Sequence, residues 1–371
     1  MIINLYLWAT QWKAIRLGHP VLIACVLFFT FFMFSCDSGN GNSDDGGNPE
    51  PTPSPTPIPT PSPGGSIIEP GGTLAVIPET LEYVLDGNER HKLDYYEISG
   101  LPSQTASSSV RGLTGARPAL VFFHGGAWVT GDKADVDPLV FEAAETAGFH
   151  LISVGYRLAI ESPWPAQIYD ANAAVRWIKQ NAEALSIDPD KIIIVGGSAG
   201  AHIGAAVAMA SDISELQGPY NLEPPTSTDL AMAILVFGAY NLNMIVDDAV
   251  DLVGEGTCMV EDLVGIVAVL TLLDCPPSLN LLDPFMNCAQ EDLDLASPEM
   301  FVDSMDPPTY LAHGRDDCTI PYQQTLGMGM ALDGAGVPFS SIIVEGGAHS
   351  VDSLDLSVEE IISFIDENLS E

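Results

Sequence analysis

The sequence predicts an α/β fold, a mostly parallel central sheet with helices on both faces and a cap-like insertion. Three observations predict it. Short continuous apolar runs, among them Ala119–Phe123 and Ile192–Val195, read as strands buried on both faces. Between them lie segments with apolar residues at three- and four-residue spacing, the period of an amphipathic helix. The two patterns alternate from about Leu74 onward, as parallel strands joined by helical crossovers do.

In order, Leu81–Leu85 and Lys92–Ile98 open as a pair of strands joined at the turn signal Asp86-Gly87-Asn88. Ala119–Phe123 stops at His124-Gly125-Gly126, and Pro138–Ala147 supplies the next helix. Leu151–Val154 is followed by a helix over Ala166–Ala184. Ile192–Val195, rich in β-branched residues, ends at Gly196-Gly197 and leads into a helix over Ala199–Ala210. Ala231–Phe237, Thr309–Ala312 and Ser341–Val344 complete the strands, with helices over Tyr322–Gly334 and Ser357–Asn368. The rhythm lapses between Asn241 and Ser297, a stretch with three cysteines, many acids and the apolar run Leu263–Leu273.

The 371 residues are 47% hydrophobic, enough for a sizeable core, which excludes wholesale disorder. With 12 Lys and Arg against 50 Asp and Glu, the net charge of −38 repels phosphate backbones and excludes nucleic-acid binding.

Three domains of composition stand out. Residues 1–36 contain no acid, and Lys13 and Arg16 precede an apolar run from Val21 to Phe34. That run is shorter than the roughly 20 residues that span a bilayer core, and it fits a signal peptide. Ser35-Cys36 closes it and resembles the lipobox of bacterial lipoproteins. The resemblance implies that Cys36 is lipidated and that the protein is exported and membrane-anchored, in the periplasm or at the cell surface; an uncleaved anchor and ordinary secretion are the alternatives. Residues 37–72 are Gly-, Ser- and Pro-rich, centred on PTPSPTPIPTPSP, and read as an extended tether. Residues 73–371 form the folded domain.

Of six cysteines, Cys25 and Cys36 lie in the signal region, leaving Cys258, Cys275, Cys288 and Cys318. Behind an export signal these suggest two disulfides in one of three connectivities, with Cys258–Cys275 and Cys288–Cys318 expected. Neither Cys-x-x-Cys nor paired-His spacing occurs, so no metal site is expected.

In a parallel α/β sheet ligands bind beyond the carboxyl ends of the strands. Gly196-Gly197-Ser198-Ala199-Gly200 follows one such end and matches G-x-S-x-G. The serine of that motif sits on a sharp strand-to-helix turn with its hydroxyl in the cleft, and small neighbours relieve the crowding. Ser198 is the expected nucleophile, and the Ala199 N–H at the helix N-terminus points toward an oxyanion. His124-Gly125-Gly126-Ala127-Trp128 follows another strand; its glycines let backbone N–H groups approach a ligand, while His124 and Gly125 support the loop. Among the histidines, His19 lies in the signal, His91 in the opening hairpin and His150 at the wrong end of a strand. His202 packs beneath the serine turn, and His313 ends a strand beside an acidic loop. His349, in Gly346-Gly347-Ala348-His349-Ser350, is the one in the right place and order to be the base. The acid that fixes its tautomer is Asp316 or Asp317, with Asp317 favoured. A bridged Cys318 would stiffen that loop.

Together these residues resemble the α/β-hydrolases, in particular the carboxylesterase and hormone-sensitive-lipase-like branch that includes bacterial feruloyl esterase-like proteins. The resemblance runs from about Leu81 to Leu369. It rests on HGGAW (His124–Trp128), VGYRLA (Val154–Ala159), DANAAVRWI (Asp170–Ile178), IDPDKIIIVGGSAGAH (Ile187–His202), PPTYLAHGRDDCTIP (Pro307–Pro321) and GGAHS (Gly346–Ser350). In that family the acid lies four residues after the histidine of the His-Gly pair, which selects Asp317. The resemblance also implies that the N–H groups of Gly126, Ala127 and Ala199 form the oxyanion hole. Ala127 stands where the hormone-sensitive-lipase pattern has a third glycine, and Gly197 where it has glutamate, both common among the feruloyl-esterase-like relatives. Insertions at the position of residues 241–297 form caps in the family, so a disulfide-stapled lid is expected, with a surface elaboration far from the cleft as the alternative.

The function implied is ester hydrolysis through an acyl-enzyme, with no metal or organic cofactor. Feruloylated or acetylated polysaccharide, a short lipid ester and a xenobiotic ester all fit as substrates. Two alternatives carry different elbows or none: a prolyl-oligopeptidase-like peptidase, which has tyrosine where this chain has Ala199, and a non-catalytic binding module on a hydrolase scaffold.

Overall fold

The computed structural model describes residues 66–68, 74–98, 115–220, 225–259, 264–276, 278 and 284–369. The signal region with Cys36, and the tether up to residue 65, lie outside the described residues. Two short strands, β1 (Ser66–Ile68) and β2 (Leu74–Val76), pair as an antiparallel ribbon, so regular pairing begins within the stretch read as tether.

Eight further strands form one sheet: β3 (Glu79–Glu82), β4 (Lys92–Tyr96), β5 (Arg117–Phe123), β6 (His150–Val154), β7 (Ile187–Gly197), β8 (Met232–Val236), β9 (Thr309–Gly314) and β10 (Phe339–Val344). Their spatial order is β10-β9-β8-β7-β5-β6-β4-β3. Along the run β6-β5-β7-β8-β9-β10 neighbouring strands are parallel, and β4 pairs antiparallel with both β6 and β3. This is the mostly parallel architecture expected. The helices are α1 (Pro138–Ala147), α2 (Ala166–Gln180), α3 (Ala199–Met209), α4 (Ile245–Glu255), α5 (Val264–Leu272), α6 (Gln290–Leu295), α7 (Gln323–Ala335) and α8 (Val358–Asn368).

Both faces of the sheet are covered at its centre, which is why β5, β6, β8 and β9 are buried without alternation, whereas the edge strand β3 alternates. Along β5, Ala119, Val121 and Phe123 pack toward α2 and α3, while Leu120 and Phe122 pack toward α1 and α8. Each Val, Leu or Ile removed from water in this way contributes about 1.5–3 kcal/mol. Helix α3 is buried along its whole length, and its sequence AGAHIGAAVAM is small enough to lie against the sheet. Helix ends follow local chemistry. Asp137 caps α1 by accepting from the Leu139 N–H, Gly148 ends it in the left-handed region, and Ser357 and Glu360 form a reciprocal capping box on α8.

Between β8 and β9 the chain is helical, with α4, α5 and α6, although no strand–helix rhythm is legible there. The reason is compositional: α5 (VGIVAVLTL) is apolar all round and has no polar face to set a period, and α6 has six residues. Of the described residues, no helix is long and apolar enough to cross a membrane.

The disulfides pair as Cys258–Cys318 and Cys275–Cys288, not as expected from the sequence. The folding of the insertion decides this. The turn after α4 brings Cys258 beside the loop that follows β9, with a Cα–Cα distance of 5.6 Å to Cys318 across 60 residues of chain. Cys275 and Cys288 then meet at 5.1 Å.

Candidate active site

Ser198 stands between β7 and α3 with φ 56° and ψ −123°, a strained conformation for a residue with a side chain. Two glycines make the turn possible. A Cβ on Gly196 would lie 2.4 Å from the Gly200 carbonyl oxygen, and one on Gly200 would lie 2.0 Å from that of Phe123. The Ser198 N–H donates to Val236 O (2.9 Å), which ties the turn to β8 and lifts the hydroxyl above the strand ends.

His349 lies in the loop after β10, with its side chain about one-fifth exposed. Its Nε2 is 2.9 Å from Ser198 Oγ and its Nδ1 is 2.6 Å from Asp317 Oδ2. The ring of Phe237, 4.6 Å away, packs against the imidazole. Gly314 at the end of β9 lets this loop approach, since a Cβ there would lie 2.2 Å from the Gly347 carbonyl oxygen. Asp316 is exposed; its N–H donates to Gly347 O (2.8 Å), and it is Asp317 that faces the imidazole.

Asp317 is fully buried. Its Oδ1 accepts from the N–H groups of Thr319 (2.8 Å) and Ile320 (3.0 Å). Burial pushes its pKa up, but the hydrogen bonds and charge of His313 and His349 outweigh this and hold it down at about 2. His313, at the end of β9, also reaches this carboxylate. Its Nε2 lies 2.9 Å from Ile320 O and 3.2 Å from Asp317 Oδ2, and its Nδ1 lies 2.7 Å from Thr325 Oγ1. The spacing His313-x-x-x-Asp317 was the visible signal, though strand-to-loop geometry alone brings the two together.

The loop after β5 runs through φ 116° at Gly126, 52° at Ala127 and 60° at Trp128. Gly125 lies beside Ser198, since a Cβ there would be 3.6 Å from Ser198 Cβ. Among the described residues, the N–H groups of Gly126, Ala127 and Ala199 donate to no protein acceptor. His124 donates from Nδ1 to Gly125 O (2.8 Å) and stacks on Tyr156 at 4.2 Å. Tyr156 in turn donates its hydroxyl to His124 O (2.7 Å), and Ala159 N–H donates to Trp128 O (2.7 Å). The VGYRLA segment therefore braces both ends of the loop. His202 is buried beneath the turn. Trp128 Nε1 donates to its Nδ1 (3.2 Å), so its proton is on Nε2, which donates to Ala296 O (2.9 Å). Burial lowers its pKa to about 4.

His91 is also buried, between Asp86 and Asp170, and takes no part in this cluster. Among the described residues, no group of three His, Cys, Asp or Glu side chains is arranged to hold a metal ion.

Residues 111–332 match the family model BD-FAE, a span that contains the Gly125–Trp128 loop, Ser198 and Asp317. A probable carboxylic ester hydrolase, LipM of Mycobacterium tuberculosis, is 28% identical over 269 residues, covering 71% of this chain and 55% of that protein. Esterase LipQ of the same organism is 28% identical over 242 residues, covering 65% and 52%. The chain thus spans about half the length of these curated relatives. Among solved structures, a truncated carbohydrate esterase from gut microbiota superposes with TM-score 0.62 at 24% identity, covering 80% of this chain and 98% of the other. The native esterase Est2 of Thermogutta terrifontis gives 0.54 at 24%, covering 78% and 90%. At these identities the two structures speak to the fold.

Proposed function

The chain belongs to the BD-FAE family, on an α/β-hydrolase fold, and from that premise we propose that it is a carboxylic ester hydrolase acting through Ser198, His349 and Asp317. The observation that carries this reading is the unbroken relay Asp317–His349–Ser198, at 2.6 and 2.9 Å, at the head of the strained turn. His349 Nε2 takes the hydroxyl proton as Ser198 Oγ attacks the ester carbonyl. Asp317 remains a carboxylate, keeps the Nδ1 proton in place and stabilises the imidazolium that forms. The N–H groups of Gly126, Ala127 and Ala199 receive the developing oxyanion. His349 then protonates the leaving alcohol, and water, activated by the same imidazole, releases the acid from the acyl-enzyme. General-base help of this kind is worth about 10²–10⁴-fold, and one oxyanion donor about 10²–10³-fold.

The substrates proposed are short acyl esters, including those borne by carbohydrate. A carbohydrate esterase and an acetyl ester-xyloside bifunctional hydrolase of Caldicellulosiruptor lactoaceticus share this fold, which is in keeping with an acyl ester borne by sugar. The apolar run from Val21 to Phe34 and the lipobox-like Ser35-Cys36 support the reading of an exported, membrane-anchored lipoprotein. Detergent-phase partitioning lost on Cys36→Ser would support that placement, and unchanged partitioning would reject it.

The decisive test of the chemistry is Ser198→Ala on a short p-nitrophenyl ester, alongside labelling by a fluorophosphonate. Activity and labelling should both fall by at least about 10³-fold. A variant that keeps most of its activity overturns the assignment.

A further inference from the structure

The insertion meets the acid loop at two points. Cys258, buried just past α4, is bonded to Cys318, the residue immediately after Asp317. Gly265, in the first turn of α5, lies so close to the same loop that a Cβ there would be 2.1 Å from the Thr319 carbonyl oxygen. The other end of α5 is anchored too, because Trp164 N–H donates to Leu272 O (2.8 Å).

The clamped residues are the ones that hold the carboxylate. Asp317 Oδ1 accepts from the N–H groups of Thr319 and Ile320. Upstream of Asp317, the loop is fixed to the His349 side by Arg315 N–H to Val344 O (2.9 Å) and Asp316 N–H to Gly347 O (2.8 Å). Downstream, its restraints are the bond from Cys258, the contact with Gly265 and the His313 hydrogen bond to Ile320 O. The titratable groups that face the Asp317 carboxylate are His313 and His349, and Asp316 beside it is turned to solvent.

We propose that the insertion is a positioning element for the catalytic acid: the Cys258–Cys318 bond and the Gly265–Thr319 contact hold the 318–320 backbone so that Asp317 faces Nδ1 of His349. This rests on the reading of Ser198, His349 and Asp317 as the catalytic relay. It assigns the two disulfides different jobs. Cys275–Cys288 closes a loop within the insertion and bears on the acid only indirectly, whereas Cys258–Cys318 bears on it directly.

The test compares wild type, the double variant Cys258→Ser with Cys318→Ser, the double variant Cys275→Ser with Cys288→Ser, and Gly265→Ala. Each is assayed on a short p-nitrophenyl ester across pH, with folding followed by circular dichroism. Loss of the first bridge, or Gly265→Ala, should lower kcat about tenfold, a small part of the roughly 10⁴-fold lost when a triad acid is disabled. KM should stay within about twofold, since no substrate contact is removed. The acid limb of the pH–rate profile should move to lower pH, because an imidazolium with a poorly aimed carboxylate loses its proton more readily. Loss of the second bridge should leave kcat and the acid limb in place. If the first double variant does not fold, folded wild type is reduced with a phosphine, alkylated and assayed in the same way. A folded protein without the Cys258–Cys318 bond that keeps the wild-type kcat and acid limb overturns the proposal, as does an equal loss from either bridge. Wild type inert to esters and to the fluorophosphonate would instead sink the esterase reading, and this proposal with it.

Discussion

His313 Nε2 lies 3.2 Å from Asp317 Oδ2, the same carboxylate oxygen that accepts from His349 at 2.6 Å. A fully buried carboxylate is costly unless its charge is met, and His313, whose Nε2–H donates to Ile320 O at 2.9 Å, sets a second imidazole beside the one that the carboxylate bonds directly. Thr325 sits at the other ring nitrogen, 2.7 Å away, and with its hydroxyl donating there His313 carries its proton on the side of Asp317.

His313→Phe should therefore lower kcat with little change in KM. The variant leaves the Ile320 carbonyl without its donor, a cost of about 1–3 kcal/mol, and removes a dipole beside the carboxylate, so a loss of roughly 10- to 100-fold is expected. His313→Gln, which can keep a donor near the carboxylate, should recover part of it. Steady-state kinetics on both variants, with thermal melts to compare folding, decides. Equal kcat for the two would mean that the ring only fills space.

Tyr156 gives a second expectation, on the oxyanion side. Its hydroxyl holds the His124 carbonyl at 2.7 Å, at the start of the loop that carries Gly126 and Ala127, two of the three proposed oxyanion donors. Tyr156→Phe keeps the stacking on His124 but leaves a buried carbonyl unsatisfied, a cost of about 1–3 kcal/mol. Slackening that loop should reduce kcat several-fold and weaken a boronic-acid transition-state analogue in proportion, while KM stays nearly constant. Analogue affinity that does not follow kcat would reject the link.

What was legible in the sequence was whatever local pattern encodes. Strands buried on both faces appear as apolar runs, and the helix over Pro138–Ala147 has its aspartate cap and glycine stop in adjacent residues. Strand ends with glycine-rich turns pointed to Ser198, to the loop at His124 and to His349, and the structure brings these strand ends to one side of the sheet. Relationships made only in three dimensions were not legible. Four half-equivalent cysteines carry no spacing signal for partner choice, and the pairing follows from where α4 ends. An all-apolar helix such as α5 has no period to detect. The contact of His313 with Asp317 depends on how the loop after β9 folds back, which composition does not state.

Two glycines should respond oppositely to alanine. At Gly200 the added Cβ would lie 2.0 Å from the Phe123 carbonyl oxygen and 2.7 Å from its carbon, both main-chain atoms of the central strand β5. Neither can yield without moving the sheet, so Gly200→Ala should destabilise by about 3 kcal/mol or more. Gly254 in α4 has nothing within 4 Å of the same position, so Gly254→Ala should be neutral or stabilising by up to about 1 kcal/mol. Urea unfolding of the two variants checks both signs. A mild Gly200→Ala would mean that the elbow has more slack than its geometry implies.

Stability should also depend on pH through His91. The side chain is buried, with Nδ1 2.8 Å from Asp86 and Nε2 3.1 Å from Asp170, and Arg157 Nη2 reaches Asp170 at 2.6 Å. Burial alone would lower the His91 pKa, but Asp170 and then Asp86 outweigh it and raise the value above that of an ordinary histidine. A native state that holds its proton more tightly than the unfolded chain gains stability. That gain is complete below the unfolded value of about 6.5 and disappears as pH rises through the higher folded value. Asp86 works in the opposite sense. Its slight burial raises its pKa, but the Asn88 N–H and His91 pull it below the ordinary carboxylate range, so its contribution is lost as pH falls through that lowered value. The cluster should accordingly stabilise most between about pH 5 and 6.5. The background of acidic repulsion is common to wild type and His91→Gln, so their difference in unfolding free energy isolates the cluster. That difference should be about 1–3 kcal/mol near pH 6 and shrink steadily toward pH 9. A difference that stays flat across this range would mean that His91 carries no extra proton in the native state and that its two carboxylate contacts are those of a neutral ring.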